Sequence, residues 1–180
     1  MIILGVDPGT LFTGYAVIGD DGGKMSIIEC DVIKNPSSNS MPLRLKLIYD
    51  TLVKVIKEHK PDEFAIETAF YGKNIQSTLK LGHARGVSIL AAVNKQIPTS
   101  EYSPREIKKS VVGIGSASKE QVRFMVCQIL KIKEIPKSLD ITDALAVALC
   151  HYNKMLDHKS NNQSWEDYVA QNPKKVIVRN

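Results

Sequence analysis

The first ten residues restrict the possible folds of this chain more than any other stretch. Residues 2–6 are apolar at every position, so both faces of the segment must be buried, as in a central strand of an α/β sheet. Asp7 ends this strand, and Pro8-Gly9 predicts a sharp turn. Ligands of open α/β sheets bind at the carboxyl ends of the strands. Asp7 is therefore either the cap of a turn or a functional acid. The two roles are distinguished by whether other acidic residues are predicted to lie at the same place.

Strand and helix patterns follow in an order typical of an α/β domain. Residues 13–18 and 25–33 predict two further strands, joined by a turn at Gly22-Gly23, in an antiparallel meander. An apolar stripe over residues 45–56 predicts a helix that crosses back over the sheet. Such a crossover returns the next strand, residues 64–66, parallel to the first. Glu67 then ends this fourth strand as Asp7 ends the first.

The remaining elements are predicted to be mainly helical. Residues 96–102 form a weak candidate for a fifth strand. Residues 74–94 predict one long helix in which Gly82 and Gly86 share a face. Glycine inside a helix costs about 1 kcal/mol relative to alanine, so another structure should approach this face closely. A neighbouring helix, the sheet or the same helix of a second copy would serve.

The charge of the chain is unevenly distributed. The net charge is +5, but residues 68–137 carry +8 and the rest of the chain −3. This basic middle predicts either a surface for a polyanion or an ordinary solvated face. Within it, residues 113–119 form a glycine-rich loop before a helix capped by Ser118, which predicts a phosphate site or a plain connector.

Composition and cysteine spacing exclude several classes of protein. The 180 residues, 43% of them hydrophobic, suit one compact domain. Cys30, Cys127 and Cys150 have no metal-ligand spacing and are odd in number, so a disulfide framework or zinc knuckle is not expected. This usage favours a reducing cytoplasm. The first apolar run is too short for a signal peptide or a membrane span, so we expect no membrane association.

Two more acids open a late, almost wholly apolar helix. Asp140 and Asp143 lie three residues apart, and their side chains share a face. They could simply cap the helix. If the helix instead begins beside Asp7 and Glu67, four carboxylates converge and need a cation to remain ionised together.

Such a carboxylate group favours a specific chemistry. Hard oxygen ligands suit Mg²⁺ or Mn²⁺, and two such ions can activate water for phosphodiester hydrolysis. The four histidines are scattered and predict no rival site; His151 is expected to be a packing residue.

These motifs together resemble the RuvC-type Holliday-junction resolvases, a family of the ribonuclease H-like superfamily. The resemblance covers about residues 1–155 in order. It is carried by residues 3–10 (ILGVDPGT), Thr13-Gly14, residues 65–67 (AIE), Phe70, Lys73-Asn74, Leu81-Gly82, residues 84–86 (ARG), residues 111–117 (VVGIGSA) and residues 140–146.

The resemblance implies a fold, an assembly and an activity. The fold would be a five-stranded mixed β-sheet, three antiparallel strands and then two parallel ones, flanked by helices. Residues 1–156 would form a single nuclease domain, and residues 157–180 a polar tail of unknown role. The family's activity is metal-dependent cleavage of two opposing strands of a four-way DNA junction by a homodimer, with two Mg²⁺ per subunit. A branch-migration helicase complex of the RuvA and RuvB type would be a partner.

Roles of individual residues also follow from the resemblance. The catalytic and metal-binding acids would be Asp7, Glu67, Asp140 and Asp143. Phe70 would stack on DNA near the crossover, and Lys108 and Lys119 would lie near the scissile phosphate. Lys73 and Arg85 fall in matching motifs and would contact DNA. The sequence departs from the family pattern at His83, where glutamine is expected, and at Tyr71-Gly72.

Two other functions compete with a junction nuclease. Nucleotide-binding ATPases of the actin and sugar-kinase type also open with a strand and an acidic turn, but they need a second, duplicated half, for which 180 residues leave no room. A DNA-binding module without catalysis would keep the basic middle but has no use for four acids at strand and helix ends.

Overall fold

The fold was taken from a computed structural model, which describes residues 1–68, 75–132 and 138–161, and side chains up to residue 157. A five-stranded sheet is formed by β1 (Ile2–Asp7), β2 (Phe12–Asp21), β3 (Lys24–Lys34), β4 (Glu63–Glu67) and β5 (Thr99–Tyr102). The strand order is β3-β2-β1-β4-β5. β1, β2 and β3 pair antiparallel, and β4 and β5 continue the sheet in parallel. The predicted mixed sheet, including the parallel return of β4 to β1, is confirmed.

Five helices in the described part of the chain cover the two faces of this sheet. Their bounds are α1 (Met41–His59), α2 (Ile75–Val93), α3 (Pro104–Val112), α4 (Lys119–Ile129) and α5 (Leu139–Asn161). Within the described residues, none of them is long and apolar enough to cross a membrane. Most of the predicted tail, residues 157–180, lies outside the described residues.

Alternation along the central strands divides the core in two. Leu4, Val6 and Val17 pack with α1 and α2 on one face. Ile3, Ala16 and Ala65 pack with α3, α4 and α5 on the other. Side chains of a strand alternate between the faces, so Asp7 and Glu67, in phase with Ile3 and Ala65, belong to the α5 face. Burial on both faces explains why β1 is apolar throughout.

Local signals start and stop the helices. Ser103 forms a capping box with Glu106, and Ser118 forms another with Gln121. Gly113, at φ 86°, ends α3 in the left-handed conformation that glycine adopts without strain. The 113–119 loop thus joins two capped helices. The thiols of the three cysteines are free, as predicted.

Helix α5 lies directly on the backbone of the sheet. A Cβ atom added to Gly5 in β1 would be 2.5 Å from the carbonyl oxygen of Ala144 and 2.7 Å from the Cβ of Ala148. Separations of this size are far below van der Waals contact. Small residues on strand and helix therefore bring α5 close to β1, and with it the acids at the start of α5.

Candidate active site

The carboxyl ends of β1 and β4 place Asp7 and Glu67 on the same edge and the same face of the sheet. β1 and β4 are adjacent and parallel, with Val6 opposite Ile66. The turn after Asp7 is fixed by the buried Thr13, whose hydroxyl donates to the carbonyl of Gly9 at 2.5 Å and accepts from its N–H at 3.3 Å. The turn therefore needs no cap from Asp7, whose carboxylate is left for another role.

A cavity of about 300 Å³ opens at this edge. Three of the predicted acids line it, namely Asp7, Glu67 and Asp143. Lys108 of α3 and Lys119 of α4 line it as well. Its apolar walls are Pro104, Ile107, Val122 and Ala146. These wall residues were not predicted from the sequence, because they meet at the cavity only through the packing of α3, α4 and α5.

Asp7 is the electrostatic centre of this group. Burial, followed by the charges of Glu67, Asp143 and Asp140, raises its pKa from the ordinary 3.8 to about 8. Burial and then the charge of Asp143 raise the pKa of Glu67 to about 7. The carboxylates therefore lie close enough to oppose one another's ionisation.

Two lysines offset part of this negative charge. The Lys119 ammonium donates to Asp143 Oδ2 at 3.2 Å, and the pKa of Lys119 is raised, chiefly by the charge of Asp143. Lys119 lowers the pKa of both Asp7 and Glu67, and Lys108 lowers that of Glu67. The Lys119 side chain remains 63% exposed, so it can still meet a phosphate that enters the cavity.

Asp140 occupies a different position from the other three acids. It does not line the cavity, and its charge acts on Asp7. Its Oδ2 atom accepts a hydrogen bond from Ser138 at 2.6 Å. α5 begins at Leu139, one residue before Asp140, so Asp140 is inside the first turn and is not the N-cap. The backbone of Asp140 lies against Gly14 of β2, the residue paired with Asp7, so Asp140 is on the β2 side of Asp7 and Glu67 is on the β4 side.

Of the other predicted DNA-binding residues, Phe70, Lys73 and Arg85, the structure describes Arg85. Arg85 on α2 forms an ion pair with Glu101 of β5 and does not line the cavity. His83 is exposed on α2. Phe70 and Lys73 lie outside the described residues. His151 is 3% exposed and its Nδ1 is 2.8 Å from the Tyr102 hydroxyl, which agrees with the predicted packing role.

One cluster was not predicted from the sequence. Glu29, Glu58 and His59 have ligand atoms that all lie within 4.8 Å of one another, and no other trio of His, Cys, Asp or Glu in the described part of the chain is as close. The expectation of scattered histidines was therefore wrong for His59. Its Nε2 is 2.6 Å from Glu29, which also accepts from the Tyr15 hydroxyl at 2.6 Å. This network joins α1 to the opposite face of the sheet from Asp7.

The mixed sheet with acids at the ends of β1 and β4 and at the start of α5 defines a ribonuclease H-like protein. The family described as crossover junction endodeoxyribonuclease RuvC matches residues 3–151. The chain therefore belongs to the RuvC family, as the sequence motifs predicted.

Individual relatives agree with this assignment. The chain is 48% identical to the crossover junction endodeoxyribonuclease RuvC of Cytophaga hutchinsonii, over 97% of this chain and 88% of that protein. It is 47% identical to that of Salinibacter ruber, over 98% and 99%. The structure of Thermus thermophilus RuvC in complex with a Holliday junction substrate matches with a TM-score of 0.83 and 30% identity, over 88% of this chain and 96% of that one.

Proposed function

We propose that this chain is a metal-dependent endonuclease that resolves four-way DNA junctions by paired, symmetric phosphodiester hydrolysis, leaving 5′-phosphate and 3′-hydroxyl ends in DNA recombination and repair. The observation that carries the proposal is the partly buried Asp7 carboxylate, with acids on both sides and two lysines lining the same cavity. Membership of the RuvC family supports the choice of a junction as the substrate.

The donor set fits divalent cations that prefer hard oxygen ligands. Asp7, Glu67, Asp140 and Asp143 would hold Mg²⁺, with Mn²⁺ as an alternative. The raised pKa values of Asp7 and Glu67 are the structural sign of this fit, because a cation would restore both groups to the charged form. Two ions per subunit would supply an activated water and charge stabilisation at the leaving oxygen. The number of two ions per subunit rests on the family resemblance.

The chain's own residues would orient the DNA strand. Lys119, beside the N-terminus of α4, is exposed enough to pair with a phosphate oxygen, and Lys108 faces it across the cavity. We assign Phe70 to stacking on an opened base and Lys73 and Arg85 to backbone contacts, on the family motifs alone. Arg85 must leave Glu101 to do so.

Two copies would assemble through α2. A Cβ added to Gly82 or Gly86 would meet no heavy atom within 4 Å in the described chain. The helix or sheet within the chain that could have explained these glycines is therefore not near them. Ile75, Leu79, Leu90 and Val93 on the same helix are exposed large apolar side chains. A homodimer through this surface would place two active sites on opposite strands of a junction.

Several further expectations belong to the same proposal. Residues 1–156 would be the nuclease domain and residues 157–180 a tail of unknown role. The site of action would be the cytoplasm, and a branch-migration helicase complex of the RuvA and RuvB type would deliver the junction. These rest on the family resemblance.

A cleavage assay tests the activity. A labelled four-way junction and a linear duplex of the same sequence are incubated with the protein, with and without Mg²⁺. We expect symmetric nicks in the junction alone and only with Mg²⁺. Asp7→Asn should keep junction binding and lose cleavage, whereas Asp21→Asn, at the far end of β2, should retain both. Bound but intact junctions with the wild-type protein would instead indicate a non-catalytic junction-binding protein.

A further inference from the structure

Gly14 lies opposite Asp7 in the β1–β2 ladder. It is in phase with Ala16 and Ile18, which face α5. A Cβ built on Gly14 would be 2.6 Å from the carbonyl carbon of Asp140 and 3.2 Å from its Cβ, with the carbonyl oxygen closer still. The first turn of α5 therefore packs directly against the backbone of β2 at Gly14, the residue paired with Asp7.

Position 14 is occupied by glycine because a side chain would not fit there, and not because its backbone conformation requires glycine. The glycines with positive φ are Gly22, Gly23 and Gly113 among the described residues, so Gly14 has a backbone that any residue can adopt. Its environment also differs from that of Gly19 on the same strand, where an added Cβ would meet the movable Ile28 side chain at 3.1 Å. Gly14 faces rigid backbone, which can only give way by moving α5.

The residue that would move is the acid on the β2 side of Asp7. Ordinary contact begins at 3.4 Å, so the carbonyl carbon of Asp140 alone would have to retreat by about 0.8 Å. Metal and catalytic groups must be held within about 0.5 Å of their productive geometry. A single methyl group at position 14 is therefore enough to spoil the relation between Asp140 and Asp7.

We infer that Gly14 is a positioning residue for the active site: by carrying no side chain, it sets the separation between Asp140 and Asp7, and so the geometry in which both bind a divalent cation. This inference rests on the proposed function, since it assigns Asp140 and Asp7 to one metal site. It concerns the first turn of α5 only, because Gly5 supports the helix one turn further on.

The test compares Gly14→Ala with Gly19→Ala as the matched control. Folding is measured by circular dichroism, Mn²⁺ binding by the loss of the free-ion EPR signal, and cleavage by steady-state assays on a four-way junction, which give kcat and KM. For Gly14→Ala we expect a native spectrum, Mn²⁺ affinity lowered about 10- to 100-fold and kcat lowered about 100-fold, with KM for the junction changed less than about threefold. Gly19→Ala should match the wild type in all of these.

A compensating substitution separates positioning from general damage. Glutamate is one methylene longer than aspartate, so Asp140→Glu in the Gly14→Ala protein should restore part of the lost Mn²⁺ affinity, whereas Asp140→Glu alone should lower it. Such opposite effects are the signature of coupled neighbours. Additive losses in the double variant would overturn the inference.

The remaining outcomes are equally decisive. Gly14→Ala with wild-type Mn²⁺ affinity and kcat would overturn it, and so would an unfolded Gly14→Ala protein, because Gly14 would then serve the fold and not the site. If the wild-type protein binds Mn²⁺ but cuts no DNA, the proposed function fails, while the Mn²⁺ titrations still decide whether Gly14 positions Asp140.

Discussion

In the absence of metal, the stability of this protein should fall as the pH rises, and Asp7→Asn should remove most of the fall. The pKa of Asp7 is raised to about 8 from an ordinary 3.8, so between these values the folded state binds a proton that the unfolded state has lost. By linkage, the stability associated with Asp7 is present at low pH and is lost as the pH rises through about 8.

The size of this effect can be worked out from the pKa shift. Each unit of pKa difference corresponds to about 1.4 kcal/mol. Integrated from pH 5 to pH 9, the shift of Asp7 lowers the free energy of unfolding by about 4 kcal/mol. Asparagine has no charge to bury beside Glu67 and Asp143, so the free energy of unfolding of Asp7→Asn relative to the wild type should be about 4 kcal/mol higher at pH 9 than at pH 5.

Urea unfolding in EDTA, followed by circular dichroism at pH 5, 7 and 9, measures this difference. Asp21→Asn, an exposed carboxylate at the far end of β2, is the control and should follow the wild type. Addition of Mg²⁺ at pH 9 should stabilise the wild type and leave Asp7→Asn unchanged. The prediction would be refuted if the difference in free energy of unfolding between the wild type and Asp7→Asn changed by less than about 1 kcal/mol from pH 5 to pH 9.

Three further substitutions test other parts of the structure. Lys119→Met should slow junction cleavage about 100-fold in single-turnover assays, with little loss of binding. Lys109→Met, a control outside the cavity, should cleave at the wild-type rate. Equal cleavage rates for the two variants would contradict the role of Lys119. Ser103→Ala removes the capping box of α3 and should lower the free energy of unfolding by about 1 kcal/mol in urea titrations, and an unchanged midpoint would argue against the cap. Leu79→Asp on α2 should convert a dimer into a monomer in light scattering, while Leu43→Asp, equally exposed on α1, should remain dimeric; a Leu79→Asp dimer would exclude the α2 surface.

Features that depend on neighbouring residues could be predicted from the sequence. The burial of β1, the acids at the ends of β1 and β4, and the capping boxes at Ser103 and Ser118 follow from alternation, turn residues and short spacings, and the structure contains all of them. Asp7 and Glu67 line one cavity because adjacent parallel strands end at a common edge.

Features that depend on distant residues could not be predicted. Asp140 packs against the backbone of Gly14, 126 positions earlier in the chain. Arg85 is engaged by Glu101 only because α2 passes β5. His59 meets Glu29 because the end of α1 returns to β3. Such contacts arise from packing between elements, for which a single sequence carries no periodic signal.

The two edge strands of the sheet, β3 and β5, also limit how copies of this protein can associate. Unpaired edge strands invite strand-to-strand addition and aggregation unless they are short or charged. β5 has only four residues, and β3 pairs with β2 through an irregular register and exposes charged residues at Lys24, Asp31 and Lys34. Neither edge is a template for extending the sheet, so self-association is left to the helices, and concentrated protein should resist fibre formation.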